Sequence, residues 1–267
     1  DALNNTVVHI DNLTVYENGS HHPHGQDCSS HASAHATTHT DALSTNHTPT
    51  TSARTGSQSP ELIVSAKYRV IPFPAENPEA PGGAPALVTN PWLTFPGNAT
   101  TLNWHTGLGG TNYNYTRGNN VWAYHDRTSL NTALESKSAP SKDLILSDFD
   151  YVPDFNVGPT QTTPVQNQQF NITNVFYWSN IIHNVMYQYG FTEAAGNFQE
   201  DNLGRGGLGN DYVRAEAQDA GGINNANFAT PVDGSLPRMQ MYLWDLSTPF
   251  RDGDVDNGVI VHEYAHG

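Results

Sequence analysis

The chain has 267 residues, of which 26 are acidic and 11 are basic, so its formal net charge is −15 at pH 7. This negative charge argues against nucleic acid or an anionic membrane surface as a partner, because both select for Lys and Arg. The single cysteine, Cys28, excludes a disulfide framework and a four-thiolate zinc module. No apolar run approaches the length of a membrane span, and the absence of an initiating Met and a signal peptide favours a processed chain or a fragment.

The first sixty residues differ in composition from the rest of the chain. Residues 5–16 alternate between apolar and polar side chains and predict a strand. Seven of the thirteen histidines lie within residues 21–47, where large apolar side chains are almost absent, so little there offsets the entropy of ordering the backbone. We therefore predict a disordered His-, Ser- and Thr-rich linker over 19–60. A metal-binding tract is the alternative, although the histidine spacing is irregular.

Glycosylation triplets of the form Asn-x-Ser/Thr occur along the whole chain. They begin at Asn4, Asn12, Asn18, Asn46, Asn98, Asn114 and Asn171. Together with the low content of Lys and Cys, these triplets favour a secreted eukaryotic glycoprotein.

From residue 61 onward the pattern is that of a folded domain. Residues 62–71, 212–217 and 239–244 are predicted strands, and residues 102–125 are typical of short strands and turns. Strands precede helices along the chain, which predicts an α+β fold.

One segment has the period of an amphipathic helix. Apolar residues recur every three or four positions over 173–189, with Asn171 or Thr173 assigned as the N-cap and Gly190 as the end. His183 lies near the apolar stripe, and we interpret it as a hydrogen-bonded core histidine rather than a ligand.

The last six residues carry the chemistry of the chain, since they contain a His-Glu-x-x-His motif. On a helix, His262 and His266 are one turn apart on one face, where both imidazoles can reach one ion. Glu263 lies beside them and is placed to take a proton from a water whose pKa the metal lowers. The motif predicts a zinc peptidase site with Glu263 as the catalytic base and His262 and His266 as ligands. The alternative is a surface helix with two unrelated histidines.

An acidic segment precedes this motif. Asp252, Asp254 and Asp256, with Glu263 at the twelfth position, copy much of an EF-hand calcium loop. Asn257, however, stands where that loop needs its turn glycine, and Glu263 already belongs to the zinc motif. We therefore favour a charge cluster at a helix N-terminus and leave Ca²⁺ open as a second cation.

Several segments, in order, resemble the fungalysins, a family of secreted fungal metallopeptidases. The segments are 116–121, 181–199, 204–211, 224–231, 241–244, 251–254 and 262–267. The resemblance implies a thermolysin-like zincin, with a β-rich N-terminal part followed by helices that include the motif helix. It also implies a secreted, extracellular Zn²⁺ endopeptidase that is made as a zymogen and inhibited by its own propeptide.

The resemblance also implies roles for single residues. His262 and His266 match the zinc ligands of the family, and Glu263 matches its general base. Asn227, Phe228 and Ala229 match the edge strand that binds extended polypeptide substrate, for which an ordinary Asn-rich turn is the alternative. The third zinc ligand of the family, a Glu on a later helix, and its oxyanion-stabilising His have no counterpart here. We therefore expect this polypeptide alone to be inactive.

These observations divide the chain into three parts. We predict a propeptide tail over 1–18, the linker over 19–60 and the N-terminal part of a metallopeptidase catalytic domain over 61–267. The rival hypothesis is a catalytically inactive secreted glycoprotein that binds metal, and a weaker one is an unrelated β-rich adhesin.

Overall fold

A computed structural model describes residues 62–63, 65–143, 146–159 and 165–267. The predicted strand over 5–16, the propeptide tail over 1–18 and the linker over 19–60 lie outside these ranges. The elements are β1 (Ala66–Val70), β2 (Ala86–Thr89), β3 (Val121–His125), β4 (Ser147–Phe149), α1 (Gln166–Gln188), β5 (Val213–Ile223), β6 (Ala226–Ala229), β7 (Arg238–Trp244), β8 (Arg251–Asp252) and α2 (Asn257–Tyr264). Mixed sheets together with helices confirm the predicted α+β class.

The strands of the described ranges form two sheets. The smaller sheet has the order β2-β1-β4, with β1 antiparallel to β2 and parallel to β4. The larger sheet has the order β3-β5-β7-β6, in which β3, β5 and β7 run parallel and β6 runs antiparallel to β7. The short strand β8 also pairs with β7, beyond the end of β6. This order leaves β6 at an edge of the larger sheet.

The predicted strands are confirmed with shifted bounds. The prediction for 239–244 corresponds to β7, and that for 212–217 corresponds to the longer β5. Of residues 62–71, only 66–70 form a strand, and residues 102–125 contribute only β3.

Helix α1 is buried on all sides, not amphipathic as predicted. Every residue from 170 to 184 is buried, so the helix passes through the interior between other elements. It begins at Gln166, and Asn171 and Thr173 therefore lie inside the helix and are not N-caps. The helix starts several residues before the apolar stripe, with mostly polar residues in its first turns. The stripe alone therefore did not reveal where the helix begins. Gly190 follows the helix end with a φ of 106°, as predicted. Neither helix of the described part is both long and apolar enough to cross a membrane.

An aromatic cluster joins the smaller sheet to α1. The Tyr68 ring of β1 stacks on Phe149 of β4 with 5.4 Å between ring centroids. His105 is also buried there, with its ring 5.0 Å from that of Phe149 and 4.9 Å from that of Phe176 on α1. Burial lowers the pKa of His105 to about 4, so this histidine is a neutral part of the core.

The structure corrects one glycosylation triplet. Asn171 is only 3% exposed, and its Nδ2 donates a hydrogen bond of 2.5 Å to Oδ2 of Asp252. A glycan cannot be attached there in this fold, because the amide faces the interior. Asn98 and Asn114 are exposed, and the first four triplets lie outside the described residues.

Candidate metal centre

The start of α2 is held by an N-cap and by a docked asparagine. Oδ1 of Asp256 accepts a hydrogen bond from the N–H of Val259 at 3.3 Å, which confirms the helix N-terminal interpretation for this aspartate. Asn257 donates from its backbone to the carbonyl of Glu76 and from Nδ2 to the carbonyl of Ala75, both at 2.7 Å. These contacts fix the position at which the motif helix begins.

The two faces of α2 separate the core residues from the histidines. Ile260 and Tyr264, one turn apart, are 0% and 1% exposed and pack into the interior. A helix advances by about 100° per residue, so His262 lies on the opposite face of α2; His266 follows in the turn just after the helix end at Tyr264, and both histidines are exposed. Glu263 lies at the boundary between these faces and is 6% exposed. The helix and the turn that follows it therefore expose both histidines and keep Glu263 buried beside them.

The histidine geometry fits a single zinc ion. The Nε2 atoms of His262 and His266 are 3.2 Å apart. Two nitrogen ligands of a tetrahedral zinc ion are about 3.3 Å apart, given the usual zinc–nitrogen distance. Ligand atoms of His262, Glu263 and His266 all lie within 4.8 Å of one another. The predicted site residues are thus brought together as the motif requires.

Glu263 has the environment of a proton acceptor rather than that of a free surface carboxylate. Burial raises the pKa of Glu263, while the charges of His262 and His266 oppose this shift. A carboxylate whose proton affinity is raised by burial is better suited to general-base work.

One side chain of α1 ties the metal helix to the core. The Nδ2 of Asn174 donates to the carbonyl of Asp254 at 2.7 Å and to Oδ1 of Asn257 at 2.9 Å. Its Oδ1 accepts the N–H of Ile71 at 3.0 Å. Asn174 therefore joins the residue just after β1, the turn before α2 and the first residue of α2.

The predicted substrate strand lies directly beside the motif. Residues 226–229 form β6 rather than an Asn-rich turn, and the hydroxyl of Thr230 donates to the carbonyl of His266 at 2.9 Å. The Phe228 ring lies 6.2 Å from that of Tyr264, while Nδ2 of Asn227 donates to the Tyr242 hydroxyl at 2.5 Å. The edge position is confirmed, and substrate binding by Asn227, Phe228 and Ala229 stays a prediction.

The interpretation of His183 as a core histidine is confirmed. It is 1% exposed, and its Nδ1 lies 3.1 Å from Oδ1 of Asn184. Burial lowers its pKa to about 4, so the ring is neutral at ordinary pH.

Sequence reasoning missed a buried cluster of carboxylates on the larger sheet. Ligand atoms of Asp126, Glu216 and Asp219 lie within 4.8 Å of one another, and all three residues are buried. In a regular strand Glu216 and Asp219 would point to opposite faces, but the register of β5 shifts between them. Glu216, an acidic residue within the strand predicted over 212–217, was the available signal.

This cluster carries its own positive charges. Nζ of Lys137 is 2.8 Å from Oδ1 of Asp126, and Nε of Arg238 is 3.7 Å from Oε2 of Glu216. The Tyr124 hydroxyl donates to Oε1 of Glu216 at 2.6 Å. We interpret the cluster as a structural ion network.

Comparison with known proteins agrees with this geometry. Residues 67–267 match the sequence profile described as fungalysin metallopeptidase (M36). Extracellular metalloproteinase 2 of Arthroderma otae and that of Trichophyton tonsurans are each 42% identical to the chain over 207 residues. The aligned part is 78% of this chain and 31% of each of these relatives. The chain therefore spans about a third of the length of the curated relatives it matches.

Proposed function

Because the chain belongs to the fungalysin family of metallopeptidases, we propose that it is part of a secreted zinc-dependent endopeptidase that hydrolyses extracellular proteins. The observation that supports this most directly is the 3.2 Å separation of the Nε2 atoms of His262 and His266 beside a buried Glu263. The relatives are named extracellular metalloproteinases, which supports the same location and reaction class here.

His262 and His266 would hold the zinc ion through Nε2. When bound, zinc would polarise the scissile carbonyl and lower the pKa of the attacking water. Glu263 takes the proton from that water and delivers it to the departing amine. Because Glu263 lies at the boundary between the buried and exposed faces of α2, its carboxylate would be within reach of both the attacking water and the departing amine.

The partner in this reaction is an extended polypeptide. The free edge of β6 offers backbone N–H and C=O groups to a peptide strand, as in other cases of strand addition. Since Thr230 hydrogen-bonds to His266, a peptide paired with β6 lies beside the zinc ligands. We assign Asn227, Phe228 and Ala229 to this subsite.

The test uses the complete natural protein that contains this sequence, with Glu263→Gln as the variant. We expect cleavage of a protein substrate to be abolished by a zinc chelator and restored by Zn²⁺. Glu263→Gln should lower kcat by a factor on the order of 10² to 10⁴ while zinc stoichiometry is retained. The matched control is Glu135→Gln, an exposed glutamate, which should leave kcat unchanged. A chelator-resistant activity, or zinc binding with no cleavage at all, would contradict the proposal; the latter fits an inactive metal-binding glycoprotein.

We also propose that the enzyme is made as a zymogen inhibited by its own propeptide. The tail at 1–18 and the His-rich linker then precede the mature enzyme, with activation cleavage between residues 19 and 66. N-terminal sequencing of the secreted, processed enzyme should find its start in that interval. A mature start at Asp1, or one well inside the catalytic domain, would be inconsistent with this assignment.

A further inference from the structure

The second proposed zinc ligand lies outside the regular part of the motif helix. Helix α2 ends at Tyr264, and His266 follows in the turn beyond it. The backbone N–H of His266 donates to the carbonyl of Glu263 at 3.1 Å, as in a 3₁₀ turn, whereas His262 lies within the helix itself. The position of His266 therefore depends more than that of His262 on what contacts this turn from other elements.

One such contact comes from the end of the substrate strand. Thr230 directly follows β6, and its hydroxyl donates a hydrogen bond of 2.9 Å to the backbone carbonyl of His266. The bond joins residues that are 36 positions apart in the sequence, so it is a tertiary contact and not a local turn. Because both residues are exposed, the bond competes with water, and we expect it to affect the ligand position more than the overall stability.

Close packing holds the same turn against the same strand. A Cβ on Gly267 would stand 2.4 Å from Cε2 of Phe198 and 3.1 Å from Cε1 of Phe228, so the backbone that follows His266 lies directly on these two rings. The Phe228 ring also lies 6.2 Å from the ring of Tyr264, measured between centroids. The residues around His266 are therefore attached to β6 by ring packing as well as by a hydrogen bond.

We propose that Thr230 is a positioning residue, which holds His266 in place for the zinc ion and so links the substrate strand to the metal. The inference rests on the proposed peptidase function. Thr230 acts through the backbone of His266, because its hydroxyl fixes the carbonyl next to the Cα from which the imidazole extends. The Nε2 atoms of His262 and His266 are 3.2 Å apart, and a site of this kind needs its ligands held to within about 0.5 Å.

The test measures Zn²⁺ affinity in the complete natural protein that contains this sequence. Thr230→Val retains a side chain of similar shape but removes the hydroxyl, so the Kd for Zn²⁺ should rise about fivefold in competition with a chromophoric chelator. Thr230→Ser retains the hydroxyl and should have the Kd of the parent. Thr132→Val is the matched control, since exposed Thr132 also donates its hydroxyl to a backbone carbonyl, that of Leu130. This control should leave the Kd unchanged.

Two further measurements distinguish positioning of a ligand from a merely structural role. The absorption spectrum of the Co²⁺-substituted protein reports the geometry of the metal ligands, and it should change in Thr230→Val and return to that of the parent in Thr230→Ser. The Tm of the metal-free protein should be nearly the same in the parent and in both variants, because the lost hydrogen bond is exposed.

The proposal is overturned if Thr230→Val has the Zn²⁺ affinity and the Co²⁺ spectrum of the parent. A Thr230→Ser variant as impaired as Thr230→Val would also overturn it, since the hydroxyl would then not be the cause. His266→Ala separates this inference from the proposed function. If His266→Ala binds Zn²⁺ as the parent does, the motif does not hold the metal, and the proposed function falls together with the inference. If His266→Ala loses Zn²⁺ while Thr230→Val retains it fully, the inference alone falls.

Discussion

Glu216 shows how a single buried side chain couples the fold to pH. It is 0% exposed, and burial raises its pKa to about 7, with the Tyr124 hydroxyl opposing the shift and Asp219 adding to it. An acid whose pKa is higher in the folded than in the unfolded state binds its proton more tightly when folded. Its contribution to stability is therefore lost as the pH rises from about 4.5, the ordinary glutamate value, through 7.

Replacing Glu216 by Gln should remove this pH dependence. The Tm of Glu216→Gln minus that of the parent should be larger at pH 8 than at pH 5, because only the parent has a carboxyl at position 216 that ionises between these pH values. Thermal unfolding at both pH values measures it, and the exposed Glu135→Gln is the control. A difference that is the same at both pH values would show that Glu216 does not titrate in this interval.

At the scale of elements, α2 depends on the hydrogen bonds of α1 more than on its own length. A helix of 8 residues is too short to be stable by itself in water. Asn174, which is 0% exposed, satisfies the N–H of Ile71 just after β1, the carbonyl of Asp254 and the side chain of Asn257. Loss of this one side chain leaves several buried polar groups unpaired.

Asn174→Ala should therefore destabilise the fold by about 3 kcal/mol and weaken zinc binding by the motif. The matched control is Asn184→Ala, another fully buried asparagine of α1, whose described contact is with His183. Chemical denaturation of both variants checks the expectation. If Asn174→Ala lowers the free energy of unfolding no more than Asn184→Ala does, Asn174 does not anchor α2.

The sequence predicts those features that neighbouring residues determine, and it does not predict those that depend on contacts between distant parts of the chain. The spacing of His262, Glu263 and His266 was predictable because four residues make about one helical turn, although His266 lies just beyond the end of α2. Strand β7 was predictable because a short run of apolar and aromatic residues marks a strand. The start of α1 was not predictable from an apolar stripe, since this helix is buried on every side. The cluster of Asp126, Glu216 and Asp219 depends on a register shift in β5, which leaves no local pattern.

At the scale of the whole molecule, the described residues supply two imidazoles and one carboxylate at the metal centre. A catalytic zinc ion takes three protein ligands and a water, and in the fungalysin resemblance Glu263 is a base and not a ligand. The chain spans about a third of the length of its curated relatives, and among the described residues these three are the side chains brought together at the motif.

The 267-residue chain expressed alone should therefore bind Zn²⁺ weakly and cleave no peptide. Zinc stoichiometry after dialysis and chelator-sensitive peptide cleavage are the two measurements, with the complete protein as the positive control. Robust peptide cleavage by the 267-residue chain would show that two histidines suffice to hold a catalytic zinc ion, and it would contradict this expectation.

The edge position of β6 has a second consequence, for how the isolated chain behaves in concentrated solution. Backbone groups at this edge are as open to β6 of another copy as to the proposed peptide substrate, so edge-to-edge self-association would compete with such a peptide for the same hydrogen bonds. With only four residues, Ala226–Ala229, the strand is too short to hold two copies together firmly. The same shortness would limit aggregation at this edge and would let a peptide bound by the proposed strand addition leave quickly.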